Sequence, residues 1–336
     1  MHFDYSGIGA KNEMMNKLYI AMYHYTRDLK HSRYPLIKGL DESLFRKQLE
    51  FMKNNFNIVR MEHVIEAVKG NGALPENALL LTFDDGYIDN YTVAFPILEE
   101  YGVQGSFFIP GKTFAEHQLL DVNKIHYILA SAKMDELVAD VKKELDHYRG
   151  IEWVYPSTEE LYNKYAVANR FDNGDTIFVK RILQMVLPEK LRNKISSDLF
   201  NKYVGISEQQ LAYELYMSRS QLRTLKRHGM FIGIHGYDHY WLGNLSREHV
   251  EKDVSMAVET LDEFIDRKQW VMNYPYGSYN KDVLTYIHNR GACIGLTTEV
   301  GVADIRKNHP LALPRLDCND FPPKSENFKT IGGTYE

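Results

Sequence analysis

The stretch Ala78–Tyr87, ALLLTFDDGY, constrains this chain more than any other. An apolar run of that length, bounded by a polar turn, reads as a buried strand. Two adjacent carboxylates at its mouth repel each other and both lose solvation, a cost that a shared cation or proton offsets. An ordinary strand ending in an Asp-Gly turn would carry the same residues. What else the chain brings to its strand ends decides between the two.

Of the 336 residues, 44% are hydrophobic and 25% charged, which is soluble globular composition with enough chain for one large core or two domains. Net charge is −5, with Lys and Arg spread along the chain, so nothing argues for nucleic acid or an anionic membrane surface. Cys293 and Cys318 form no C-x-x-C motif and exclude a disulfide framework, favouring a reducing compartment. The N-terminal MHFDYSGIGAKNEMMNK lacks the basic start and apolar core of a secretory signal, and no stretch is long enough to span a membrane. A cytoplasmic protein is the expectation.

Leu18–Tyr25 reads as a strand ending in Tyr23-His24. Helical patterns follow from Asp41 and over Met61–Val68, then the ALLLTFDD strand, a helix over Tyr91–Tyr101 stopped by Gly102, and a strand over Val103–Pro110. Strand, helix, strand with short connections implies parallel pairing in an α/β fold. Residues 112–228 break that rhythm with helical patterns over Ile125–Tyr148 and Phe178–Phe200 and a polar segment around Tyr155–Gly174. They are expected to be a largely helical insertion within a single domain spanning 1–336. The rhythm resumes with strands at Met230–His235 and Trp270–Tyr276, a helix capped by Ser246, a helix over Lys281–Asn289, and strands at Cys293–Leu296 and Leu311–Leu316. The pattern fits an open sheet or a barrel, and in both the functional groups gather at the C-terminal strand ends.

Four residue groups sit there: Asp84-Asp85, His235 to His239, Asn273 to Gly277, and Pro314 to Asp317. His235 and His239, four residues apart, can point the same way across one helical turn and grip one cation. One Asp would complete a His2-carboxylate site with open positions, as catalytic zinc requires, and the other could take a proton from a water in the site.

Thr82-Phe83-Asp84-Asp85-Gly86 is similar to the first motif of the polysaccharide deacetylases, the NodB-homology or carbohydrate esterase family 4 group. His235-x-x-x-His239 resembles their second motif and Tyr274-Pro275-Tyr276-Gly277 their third. The likeness covers roughly residues 18–110 and 230–320. It implies an irregular (β/α) barrel that hydrolyses an N-acyl group from a sugar, with Asp84 as general base. Asp85, His235 and His239 would be the ligands of a divalent metal, Zn2+ as first choice.

The chain departs from the family pattern in three places. Gly236 stands where Ser or Thr follows the first His. Asn273 stands where an Arg orients the base, and Arg315 is the candidate substitute, with Asp317 as its partner. Leu311–Arg315 lacks the His that protonates the leaving amine; His24 is the candidate in its place, better positioned than His309. Tyr87, Tyr237 and Tyr276 are expected to line a small acyl pocket. The partner is then an N-acylated sugar or glycan precursor, with N-acetyl the first choice of acyl group. The alternatives are a deformylase or other non-peptide amide hydrolase, and a non-catalytic glycan-binding descendant.

Overall fold

Leu79, Leu81 and Phe83 alternate with Leu80, Thr82 and Asp84 along the central run, and a strand sends alternate residues to opposite faces. In a computed structural model, which describes residues 16–151 and 153–331, that run is strand β5, Ala78–Phe83, buried along its whole length. The N-terminal stretch read for an export signal lies, over residues 1–15, outside the described residues.

The other strands are β1 (Lys17–Tyr23), β2 (Thr26–Arg27), β3 (Leu40–Asp41), β4 (Asn57–Ile58), β6 (Ser106–Ile109), β7 (Phe231–Ile234), β8 (Trp270–Asn273), β9 (Ala292–Val300), β10 (Ala303–Asp304) and β11 (Leu313–Asp317). Nine of the eleven form one sheet in the order β10-β1-β11-β9-β8-β7-β6-β5-β4, and β1 also pairs with β5. That pairing runs parallel from Leu18↔Ala78 to Tyr23↔Phe83 and closes seven parallel strands into a barrel. The sheet-or-barrel alternative is thereby resolved: the fold is an irregular (β/α) barrel, as the resemblance implies. β7 and β8 meet in register at the pair Ile234↔Met272.

The alternation sorts the core into two sets. Leu18, Ile20, Leu80, Phe108, Val271, Ile294, Leu296 and Leu313 form one buried cluster inside the barrel, with residues of the helix Met61–Lys69. Leu79, Leu81, Phe83, Phe107, Ile232, Ile234, Met272 and Leu316 face outward, against the helices Glu42–Asn55, Phe95–Tyr101 and Arg247–Thr260. Gly233 takes an inward position because a Cβ there would meet the Phe108 ring at 2.4 Å. Continuing the inner alternation by one step brings Thr82 and Asp84, Asn273 and Arg315 to the end of the interior, so polar groups form its last layer.

Among the described residues, the barrel unit takes those up to Asp28, Gly39–His117, and those from Leu215 to Ile331. A second compact unit is made of Leu29–Lys38 and Gln118–Glu214, so it shares 118–214 with the expected insertion and adds a short early segment. Within it, Tyr34 packs edge-on to Tyr127 and its hydroxyl donates to the Val204 carbonyl at 3.0 Å. The helical run expected over Ile125–Tyr148 is two helices, Asp121–Ser131 and Met134–Tyr148. The polar segment around Tyr155–Gly174 contains the helix Thr158–Tyr165, nucleated by a capping box in which Ser157 and Glu160 satisfy each other's backbone N–H.

Candidate active site

Beyond Phe83 the backbone N–H of Asp84 still follows the ladder, donating to the Tyr23 carbonyl at 2.9 Å. Its carboxylate, 1% exposed, meets the equally buried Arg315 of β11 in a two-pronged pair: Nη1 to Oδ1 at 2.9 Å and Nη2 to Oδ2 at 2.8 Å. Arg315 spends its remaining donors on the Thr297 carbonyl (Nε, 2.7 Å), Thr82 Oγ1 (3.2 Å) and Asn273 Oδ1 (3.0 Å), so all five N–H groups are matched. Asn273 turns its amide N–H to Asp84 Oδ1 at 2.5 Å. Burial pushes the Asp84 carboxyl up, but the charge and hydrogen bonds of Arg315, with His24 and His235 behind them, hold it below the usual carboxylate value. Asn273 and Arg315 together surround the carboxylate at the site where the family pattern has one Arg.

After Asp84 the chain turns sharply, with φ of 71° at Asp85 and 67° at Gly86. Of the five non-glycine residues with positive φ among those described, three are Asp85, His239 and Tyr276; strain is concentrated where the motifs lie. The turn aims Asp85 at the histidine pair. Its Oδ1 lies 3.2 Å from His235 Nε2 and 3.2 Å from His239 Nε2, and the three ligand atoms fall within 4.8 Å of one another.

The two Asp85–histidine separations suit a small cation. A four-coordinate ion with bonds of about 2.0–2.1 Å sets its ligand atoms about 3.3–3.4 Å apart. Asp85 Oδ1 and His239 Nδ1 are buried with no hydrogen-bond partner in the structure, a costly state for which a cation on the oxygen would compensate. His235 Nδ1 lies 2.7 Å from the Asn273 carbonyl, which fixes the ring with Nε2 towards Asp85. Burial opposes charge on both rings. For His235 the two aspartates outweigh it and raise the pKa, whereas for His239 burial, helped by His235 and His24, prevails and lowers it. Asp85 itself is held well below the usual range, because the two imidazoles facing its Oδ1 outweigh its burial.

The histidines do not share a helical turn. Gly236, with φ of 68°, and His239, with φ of 59°, make Gly236–Asp238 a loop that is held from both sides. Asp253, from the helix Arg247–Thr260, accepts the N–H groups of Tyr237 at 2.9 Å and Asp238 at 2.8 Å. On the other side Gly111 and Lys112 donate to the carbonyls of Gly236 and Tyr237. A Cβ on Gly236 would lie 3.1 Å from Asp253 Oδ1, so glycine here leaves room for that carboxylate as well as for the backbone turn. Asp253 escaped the sequence reading. Its signal is a carboxylate among Val250, Val254 and Ala257 on the apolar face of an amphipathic helix.

His24 follows β1, and the β1–β5 register sets it beside Asp84, with Nε2 3.8 Å from Asp84 Oδ2 and its side chain 39% exposed. Asn90 donates to the His24 carbonyl at 3.0 Å, and Asp89 binds both the Thr26 N–H and Arg27, so the turn after β1 is pinned to the segment following the double aspartate. Tyr276 packs edge-on to His239 at 4.8 Å and stacks on Trp241 at 4.6 Å, an aromatic surface beside the histidine pair that includes a Trp absent from the expected site.

Tyr87 and Tyr237 do not join Tyr276 in a pocket. Tyr87 is fully buried with its hydroxyl on Asp85 Oδ2 at 2.6 Å; Tyr237 packs in the outer core and bonds Glu116. The turn that aims Asp85 at the histidines carries Tyr87 behind it. Asp317 does not pair with Arg315 but caps the short turn Cys318–Asp320, accepting from Asn319 N–H at 2.8 Å. His309 precedes β11 and accepts the Leu311 N–H at 3.1 Å.

The family profile described as Polysaccharide deacetylase matches residues 71–144 and 162–293, more than half of the chain. Asp84, Asp85, His235, His239 and Asn273 fall within it, while His24 and Arg315 lie outside. YxkH of Bacillus subtilis (strain 168), named among the polysaccharide deacetylases, is 18% identical over 294 residues, covering 87% of this chain and 68% of that protein. The poly-β-1,6-N-acetyl-D-glucosamine N-deacetylase of Escherichia coli (strain K12) is 42% identical over 60 residues, 18% of this chain but only 9% of that enzyme. Among solved structures, the Streptococcus pyogenes deacetylase PplD, in complex with acetate, aligns at a TM-score of 0.55 with 18% identity, over 95% of this chain and 99% of that one. IcaB from Ammonifex degensii aligns at 0.55 with 17% identity, over 93% and 95%. Likeness at this identity carries the fold, and the profile carries the family. The chain belongs to the polysaccharide deacetylase family, enzymes that hydrolyse N-acyl groups from sugars.

Proposed function

We propose that the chain removes the N-acetyl group of an amino sugar with the help of a divalent metal, Zn2+ by its donor set, held by Asp85, His235 and His239. When bound there, such an ion supplies Lewis-acid polarisation of the amide carbonyl and makes water acidic enough to attack at neutral pH. The observation that carries the reading is the orphaned Asp85 Oδ1, equidistant from two imidazole nitrogens and next in sequence to a carboxylate clamped by Arg315.

Asp84 accepts the proton of the attacking water. Arg315 and Asn273 keep it ionised and fix both oxygens, so its role is to receive a proton at a defined place. His24, partly exposed and 3.8 Å from Asp84, donates a proton to the departing amine nitrogen in place of the missing strand-end histidine. Tyr276 and Trp241 offer the sugar an apolar wall beside His239. Both cysteines are free thiols, which supports the cytoplasmic reading and with it a glycan precursor as substrate. No helix among the described residues is long and apolar enough to cross a membrane.

The test is metal content of the purified chain, followed by acetate release from N-acetylglucosamine as monosaccharide, nucleotide-linked sugar and β-1,6 oligomer, with N-formyl analogues alongside. Asp84→Asn should lower release by about 10²–10⁴-fold with metal retained. A metal-free protein, or release untouched by the substitution, overturns the mechanism. Preference for formyl over acetyl would make it a deformylase.

A further inference from the structure

The two oxygens of Asp85 have different surroundings. Oδ1 has no hydrogen-bond partner and faces both imidazoles, whereas Oδ2 accepts the hydroxyl proton of Tyr87 at 2.6 Å. Tyr87 is 0% exposed, so no substrate reaches it. Its ring lies flat on Tyr25, with centroids 4.0 Å apart and an 11° interplanar angle, and parallel to Tyr216 at 6.4 Å. The backbone is held as well: Tyr87 bridges antiparallel to Tyr216, and Met217 N–H donates to the Gly86 carbonyl at 3.0 Å. The hydroxyl is therefore placed by elements that are independent of Asp85.

We infer that Tyr87 is a positioning residue which makes Asp85 a one-oxygen ligand and thereby sets the metal preference of the site. This rests on the metal reading above. A carboxylate that binds through both oxygens turns them equally towards the ion; here one oxygen is committed to a donor on the opposite side. The protein then offers one oxygen and two nitrogens, a set that suits a small ion of low coordination number. Larger ions that accept both oxygens of a carboxylate gain nothing from Oδ2 while Tyr87 holds it. His235 has a comparable fixing partner in the Asn273 carbonyl.

The experiment uses the full chain and the isosteric Tyr87→Phe, which keeps the ring beside Tyr25 and Tyr216 and removes only the hydroxyl. Zn2+ and Mn2+ affinities are measured by chelator competition. Loss of an outer partner of a metal ligand typically costs about 10–100-fold in affinity, and Zn2+ should weaken by that much while Mn2+ weakens less or gains, so the ratio narrows. A purely structural hydroxyl would leave that ratio alone. Tyr23→Phe removes another fully buried hydroxyl, one bonded to Gln48 at 3.2 Å, and should leave both affinities as they were. Unchanged Zn2+ affinity and ratio in Tyr87→Phe overturn the inference while the metal site stands; a parent chain that binds neither ion overturns the metal reading itself. Should Tyr87→Phe fail to fold, a crystal structure of the zinc-loaded parent decides. One Asp85 oxygen on the ion supports the inference, and two at bonding distance refute it.

Discussion

Arg315→Met puts a side chain of similar length and no charge into the last layer of the barrel interior and leaves Asp84, 1% exposed, without its cation. Breaking a buried pair from one side typically costs about 3–5 kcal/mol, because the stranded charge stays desolvated. Here the cost has a ceiling. Asp84 can escape by taking a proton, and protonating a carboxyl of ordinary pKa at pH 7 costs about three pKa units, or roughly 4 kcal/mol. In the parent, Arg315 holds the Asp84 pKa below its ordinary value, so above that value the folded and unfolded carboxyls are both ionised and contribute no slope. In the variant, burial acts unopposed by Arg315 and the folded pKa rises above the unfolded one. The folded state then binds a proton that the unfolded state does not, and stability falls as pH rises, by about 1.4 kcal/mol per unit. Urea unfolding of both chains in chelator at pH 5, 6 and 7 should show a deficit of about 3–4 kcal/mol at pH 7 that narrows by roughly 3 kcal/mol at pH 5. Asp84→Asn in the Arg315→Met background should recover most of it. A deficit below about 1 kcal/mol, or one equal at pH 5 and pH 7, would refute the reasoning, since then no buried charge has been stranded.

Asp253 gives a pH effect in the barrel unit from a different cause. Burial outweighs its two backbone N–H donors and lifts its carboxyl to about 6, so its contribution is full below the ordinary value near 4 and is lost as pH rises through 6. Asp253→Asn should remove about 3 kcal/mol of stability change between pH 4 and pH 7, read by urea unfolding in chelator; parallel curves for the two chains would contradict it. For His24→Ala, turnover of an N-acetyl sugar should fall by about 10²-fold or more with metal affinity unchanged, and an aryl acetate, whose leaving group needs no proton, should be hydrolysed at close to the parent rate. Full activity on the amide would dismiss His24 as acid.

What the sequence shows is set by the range of the signals. The apolar run before Asp84, the strand endings at His235 and Asn273, and the glycine stops produce strands and helices through short-range physics, so parallel α/β architecture is legible. Closure of the barrel is not, because the Leu18↔Ala78 to Tyr23↔Phe83 pairing joins residues about sixty positions apart through ordinary apolar letters. The same limit applies at the site. Asp84, Asp85, His235 and His239 stand out by residue type at strand ends, and Arg315 by a missing charge that had to be made good. The position of Tyr87 behind Asp85, away from the expected acyl pocket, is hidden in the sequence because a turn with two successive positive φ values does not follow strand alternation. The histidine loop was given a helical geometry that Gly236 rules out, and Asp253 was hidden by sitting on a helix far along the chain.

The seam between β7 and β8 has a consequence for how the barrel opens. Its ladder is in register at Ile234↔Met272, and just beyond, the ring of His235 lies 2.7 Å from the Asn273 carbonyl, so a side chain continues what the backbone pairing begins. Parallel strands held by few backbone bonds are natural places for local opening, and amide exchange reports such openings directly. Whatever immobilises the His235 ring also holds this seam, so amide exchange in β7 and β8 should slow when a cation fixes that ring.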